Sequence, residues 1–176
     1  MDMNTAGQIF GMGLSVLGFF IYYAKTRRGI LCAKLLSDFL STFQQFMVGA
    51  PTGALINGLA IFREIVFYNR QEKKWASHRF WLYFFIFLMG ITPVFTWMGP
   101  VSILPAAGSV LSVIAFYCVE PRHTRMIGIF SLLPWFLYRH IIPNYGILVS
   151  ITIQITSAIL GLIRDYKELR SKENVS

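Results

Sequence analysis

Residues 49–79 read GAPTGALINGLAIFREIVFYNRQEKKWASHR, and this stretch decides the fold class. It opens on a Gly-Ala-Pro turn, runs apolar over 51–68 and closes on a loop carrying Arg70, Lys73, Lys74 and Arg79. A run of about twenty apolar residues is what a helix needs to cross the hydrocarbon of a bilayer, and a basic loop marks its cytoplasmic end. The same pattern recurs along the chain. Apolar runs bounded by charge or by Pro and Gly predict helices at 6–24, 31–48, 51–68, 80–98, 101–119, 126–142 and 145–163. The links at 49–51 (GAP) and 143–146 (PNYG) are so short that the helices they join must be antiparallel neighbours.

Composition agrees. Of 176 residues, 55% are hydrophobic and 14% charged, and a mean hydropathy of +0.56 leaves a water-soluble fold nowhere to hide the apolar surface. Sixteen Lys and Arg against eight Asp and Glu give a net charge of +8. A nucleic-acid binder gathers such charge on one surface, whereas here it comes in bursts between apolar runs, which excludes nucleic acid as a partner and points to the lipid bilayer. With the N-terminus outside, fifteen of the sixteen basic residues fall on cytoplasmic ends and loops, Arg63 included, and Arg139 alone lies outside. The opening MDMNT has an acid and no basic region, so the first helix is expected to be structural and not a cleaved signal. Cys32 and Cys118 form no CxxC or Cys/His cluster, and His78 and His123 sit in charged loops; the pair of thiols reads as packing, and neither metal nor cofactor is expected.

Sliding the chain on itself by about 95 residues lays helices one to three on five to seven. Gly13 then meets Gly108, Arg27 meets Arg122, Phe43 meets Tyr138, and Gln44 and Gln45 meet Arg139 and His140. The fold expected is all-α and polytopic, with seven transmembrane helices as two parallel three-helix repeats joined by a linker helix. Residues 1–70 form the first repeat, 71–99 a cytoplasmic loop and the linker helix, 100–166 the second repeat and 167–176 a charged cytoplasmic tail.

That order of helices resembles the SWEET and PQ-loop transporter superfamily. Several stretches resemble the YgjV family of bacterial inner-membrane proteins: GQIFG at 7–11, TGALINGLAIFREIVFY at 52–68, FTW at 95–97, SILPAAGSVLSVIAF at 102–116 and ILGLIRDYK at 159–167. The resemblance implies a location in the bacterial inner membrane. It also implies alternating access for a small solute, with a mid-height residue of each third helix in contact with it. Asn57 matches that position in the third helix, and the matching region of the seventh offers Gln154. The prolines that hinge SWEET helices are half represented, by Pro105 and Pro134, with none in the first two helices.

Polar residues inside apolar runs are the candidate site. Asp38 and Arg63 each lie roughly 17 Å below the outer turn at 1.5 Å per residue, so antiparallel neighbours would bring them level. They read either as an ion-coupled pair or, the stronger expectation, as a buried bridge fixing helix register, with Glu64 competing for Arg63. Asn57 and Gln154 read as solute ligands or as interhelical links. Trp135, Tyr138, Arg139 and His140 form an aromatic and basic group near the outer end of the sixth helix. Trp135 and Tyr138 share a face there, as the walls of a solute entrance or as an interfacial aromatic belt with Arg139 snorkelling outward. Small residues four apart, Gly7, Gly11 and Ser15, then Gly108 and Ser112, read as helix packing. The function expected is a carrier, uniporter or proton-linked, for a small hydrophilic solute. A non-transporting receptor or assembly factor on the same fold is the alternative. No nucleophile and base pair stands at a spacing that suggests an enzyme. Association with further copies of the chain is compatible with the sequence.

Overall fold

The computed structural model describes residues 3–97, 99–142 and 145–173. The first two residues of MDMNT, position 98 at the end of the fourth expected helix, 143–144 of the PNYG link and 174–176 of the tail lie outside the described residues. Everything regular among the described residues is helical: α1 (Met3–Tyr23), α2 (Arg27–Met47), α3 (Pro51–Asn69), α4 (Lys74–Ser77), α5 (Phe80–Phe95), a 3-10 turn (Pro100–Ser102), α6 (Ile103–Tyr117), α7 (Pro121–Ile141) and α8 (Tyr145–Glu173).

The helix boundaries correct the sequence reading where charge, not apolarity, starts or ends a helix. α2 begins at Arg27 instead of 31, because the Thr26 side chain caps it by accepting from the Gly29 amide at 3.1 Å. α7 begins at Pro121 instead of 126, with proline in the first turn where its missing N–H costs nothing. α8 runs on to Glu173, ten residues past the end of its apolar stretch, and α4 is a short extra turn. Gly49, at φ +67°, turns α2 into α3 in a conformation an L side chain resists. Inside α5, Pro93 cannot donate to the Met89 carbonyl, and the Thr92 hydroxyl takes that carbonyl instead at 2.5 Å.

α1 packs on α2 and α8, α2 on α3, α6 on α7, and α7 on α8, while α3 and α5 both lean on α6. Small residues permit the close approaches. A Cβ at Gly18 would meet Ser150 Oγ at 3.1 Å, and one at Gly7 would meet Val48 at 2.8 Å. The hairpins place the starts of α2, α5 and α7 and the ends of α1, α3, α6 and α8 at one end of the bundle, together with nearly all the basic residues. This is the basic end below. Large apolar side chains cover the outside, among them Phe39, Phe43 and Phe46 of α2, Phe87 of α5, Phe130 and Leu137 of α7 and Leu160 of α8, all exposed. Cys32, expected to be packing, is exposed as well, and Cys118 is half-buried. By length and composition alone, two described helical stretches pass for membrane spans, Pro100–Tyr117 and Ile147–Glu168; Leu14–Tyr23 and Phe80–Phe95 are apolar but shorter. α2, α3 and α7 carry charged residues along their length, and five of these, Asp38, Arg63, Glu64, Arg125 and Arg139, are buried.

Candidate functional site

Between α1, α2, α3, α6, α7 and α8 lies a cavity of about 80 Å³. Its wall mixes apolar side chains, among them Leu14, Ile56, Leu132 and Ile151, with polar ones that a packed helical core would lack. Lys34, Ser37, Asp38, Ser41 and Gln45 come from α2, Asn57 and Arg63 from α3, Ser109 and Ser112 from α6, Ser131 and Trp135 from α7, and Ser150 and Gln154 from α8. α5 contributes nothing to it.

The residues singled out from the sequence divide clearly. Asn57, Gln154, Trp135, Asp38 and Arg63 all line this one cavity. Asn57 makes no side-chain hydrogen bond among the described residues, and Gln154 reaches only Ser150 Oγ, at 3.4 Å. Asp38 and Arg63 approach to 3.9 Å, but neither is the other's main partner. Asp38 bonds Lys34 one turn earlier on α2, leaving its Oδ2 without a hydrogen bond. Arg63 bonds Glu64 at 2.5 and 3.2 Å and Ser112 Oγ at 2.6 Å, and lies over the Phe116 ring. The four charges therefore form one neutral cluster, two cations against two carboxylates, and the competing partner Glu64 holds Arg63.

Tyr138 and Arg139 are not on the cavity wall. Tyr138 is buried edge-on to Trp135, their ring centroids 6.0 Å apart. The expected shared face is real, but only Trp135 presents itself to the cavity. Arg139 does not snorkel outward: it is wholly buried, 4.8 Å from the Tyr138 ring centroid, and donates through Nη2 to Gln45 Oε1. His140, next along, is exposed.

At the basic end the sequence reading missed a second constellation. A helix ends in carbonyls with no partner inside the helix, and the helix dipole makes that end attractive to cations. The terminal carbonyls of α6 receive arginines from α2 and α3. Arg27 donates to Cys118 O at 3.0 Å and Phe116 O at 3.3 Å, and Arg70 donates to Tyr117 O. The terminal carbonyls of α1 receive arginines from α7 and α8. Arg125 donates to Tyr22 O at 2.8 Å and Ala24 O at 2.7 Å, and Arg164 to Tyr23 O at 2.9 Å. Above these latches the Tyr22 and Phe116 rings stack with centroids 6.3 Å apart and form the cavity floor. Arg122, which the 95-residue shift set against Arg27, is exposed; Arg125, one turn deeper in α7, is the buried counterpart. An arginine reads as a cytoplasmic charge in any topology count, so only the backbone geometry distinguishes the ones that bridge helices. His123 pairs with Glu120 at 3.2 Å, and the described residues contain no metal-ligating cluster.

An apolar exterior around a polar, charge-lined interior defines a helical integral membrane protein. The chain belongs to the Imp-YgjV family, a family of bacterial inner membrane proteins, whose profile matches residues 5–169. No curated protein and no solved structure matches it.

Proposed function

We propose that the protein is a carrier, not an enzyme, moving a small hydrophilic solute across the inner membrane by alternating access between two halves, α1–α3 and α6–α8. The seven long helices are read as spans in a three-plus-one-plus-three order with α5 as the linker. The basic end faces the cytoplasm and the N-terminus lies outside. The observation that carries the reading is the cavity. A void lined by amides, hydroxyls and three charged side chains, Lys34, Asp38 and Arg63, forfeits apolar packing inside a membrane protein, and these polar groups suit a polar occupant.

The likeness of the halves supports alternating access, at a register of 94 residues in place of 95. Arg70 and Arg164 are 94 apart, and they donate to the carbonyls of Tyr117 and Tyr23, also 94 apart. Each guanidinium also lies over the ring of that same tyrosine. Tyr22 and Phe116, and Gln45 and Arg139, are again 94 apart, and within each pair the two residues touch, as equivalent residues do only beside a two-fold axis. On this reading the arginine latches close the cytoplasmic end and the Gln45–Arg139 bond closes the outer end. Rocking one half on the other exchanges the two closures.

Solute uptake into proteoliposomes tests the proposal. Flux of at least one member of a broad metabolite panel is expected, reduced about tenfold or more by Asn57→Ala, on the scale of one lost hydrogen bond to a buried polar group. No flux for any solute would overturn it in favour of the receptor or assembly-factor reading. Orientation is tested with Trp97→Cys and Ser171→Cys in a cysteine-free background. Only the first should react with an impermeant maleimide added to whole cells.

A further inference from the structure

The charges of the interior do not cancel at one place. Lys34, Asp38, Arg63 and Glu64 balance within their own cluster. Arg139 stands outside it, wholly buried, with no carboxylate within ion-pair distance among the described residues. Among the described residues its only hydrogen bond goes from Nη2 to the neutral amide oxygen of Gln45, and Nε and Nη1 have no partner. A guanidinium buried at membrane depth is costly unless something negative meets it, and a neutral amide with two ring faces is a weak substitute for a counter-ion. Those rings belong to Tyr138 and Trp135, at 4.8 and 5.6 Å from the guanidinium carbon.

The surroundings leave this cation within reach of the cavity. Gln45 and Trp135, which hold Arg139 on two sides, both line the cavity wall, so the guanidinium stands one side chain behind it. The third side is kept clear by Gly53, where a Cβ would come within 2.7 Å of Arg139 Nη2 and 2.6 Å of Gln45 Oε1. We propose that the solute is a small organic anion whose carboxylate is received by Arg139 as Gln45 gives way. Carboxylate and guanidinium match as two parallel N–H···O bonds, which Nη2, released by Gln45, supplies together with Nη1 or Nε. The hydroxyls and amides deeper in the cavity take the uncharged remainder of the molecule.

This rests on the carrier reading, and its test separates the two. Gluconate and glucose share a carbon skeleton and differ in the carboxylate, as do glycerate and glycerol, so these four serve as probes. Binding is followed by thermal unfolding of the purified protein in nanodiscs, and flux by uptake into proteoliposomes. The expected result is stabilisation by at least one of the two anions and by neither neutral partner. Half-saturation should weaken at least tenfold in Arg139→Gln and be only partly restored in Arg139→Lys, which keeps the charge but loses the bidentate fork. Ligand-free unfolding of each variant reports whether it has folded. Stabilisation by neither anion, or equal stabilisation of Arg139→Gln by an anion, overturns the inference. Uptake of glucose or glycerol without the anions overturns it while leaving the carrier standing. Anion binding that depends on Arg139, without flux of any solute, overturns the carrier and keeps the anion site.

Discussion

Replacing Arg125 by methionine keeps the apolar stem beside Gly161 but removes every donor from the latch on α1. In the structure Arg125 makes two bonds across the halves, to Tyr22 O at 2.8 Å and Ala24 O at 2.7 Å, and one within its own half to Asp165. Hydrogen bonds involving a charged group contribute about 1.5–3 kcal/mol each, so the gross loss across the halves is about 3–6 kcal/mol. The freed carbonyls sit at the end of a helix beside an aqueous loop and regain water, which offsets about half of that. A net shift of about 1.5–3 kcal/mol moves the equilibrium between closed and open cytoplasmic ends by a factor of about 13–160. The assay is the rate at which a cysteine at Ser131, on the cavity wall, reacts with an impermeant maleimide in inside-out vesicles, with Cys32 and Cys118 replaced by serine. Labelling should accelerate more than tenfold in Arg125→Met. Arg27→Met, which also loses two bonds across the halves, should do the same. An unchanged labelling rate, with an unfolding midpoint that merely drops, would show that the arginines fix helix ends and gate nothing.

Glu64→Gln takes the strongest partner from a buried Arg63 and should cost about 3–5 kcal/mol of stability, read as a lowered unfolding midpoint, whereas Asn57→Ala should leave that midpoint close to wild type. Gly108→Ala drives a Cβ to 2.8 Å from the Ser131 carbonyl and 2.6 Å from the Trp135 ring, so the α6–α7 contact must open at a cost of about 1–3 kcal/mol by the same measurement. At Gly53 the added methyl meets Gln45 and Arg139, and Gly53→Ala should separate that pair and raise maleimide labelling of the Ser131 cysteine from the outside of right-side-out vesicles.

The all-helical class and the polar positions are legible because both are signals of contrast: a run of apolar residues against a charged loop, or one Asn, Asp or Arg against an apolar run. Five of the seven candidate residues, Asn57, Gln154, Trp135, Asp38 and Arg63, consequently fall on one cavity. What contrast could not show was the partner of each charge. Arg63 stands level with Asp38 but bonds the adjacent Glu64, since a neighbour on the same helix is held close whatever the packing. Six serines of the wall, from Ser37 to Ser150, were invisible for the opposite reason, because small residues in apolar helices read first as packing. The arginine latches needed knowledge of which helix ends meet. Arg70 and Arg164 lie 94 apart in the sequence, yet among so many basic residues at loop ends that spacing selects nothing by itself.

Whether the central charges do more than hold helices together turns on which carboxylate a proton can reach. Glu64 does not line the cavity, and one of its oxygens is committed to Arg63. Asp38 does line it, and its Oδ2 has no hydrogen bond and lies 3.9 Å from Arg63. Protonating Asp38 would loosen both Lys34 and Arg63 at once and leave the cluster one charge positive, a change in the field that an occupant of the cavity would feel. If transport is proton-linked, Asp38→Asn should abolish accumulation driven by a pH gradient while leaving exchange of labelled for unlabelled solute intact, because exchange needs the cavity but no net proton movement. Glu64→Gln, corrected for its lower stability, should retain gradient-driven accumulation. Accumulation that survives Asp38→Asn, or a wild-type protein that ignores the gradient, would reduce the four charges to a structural cluster and make the protein a uniporter.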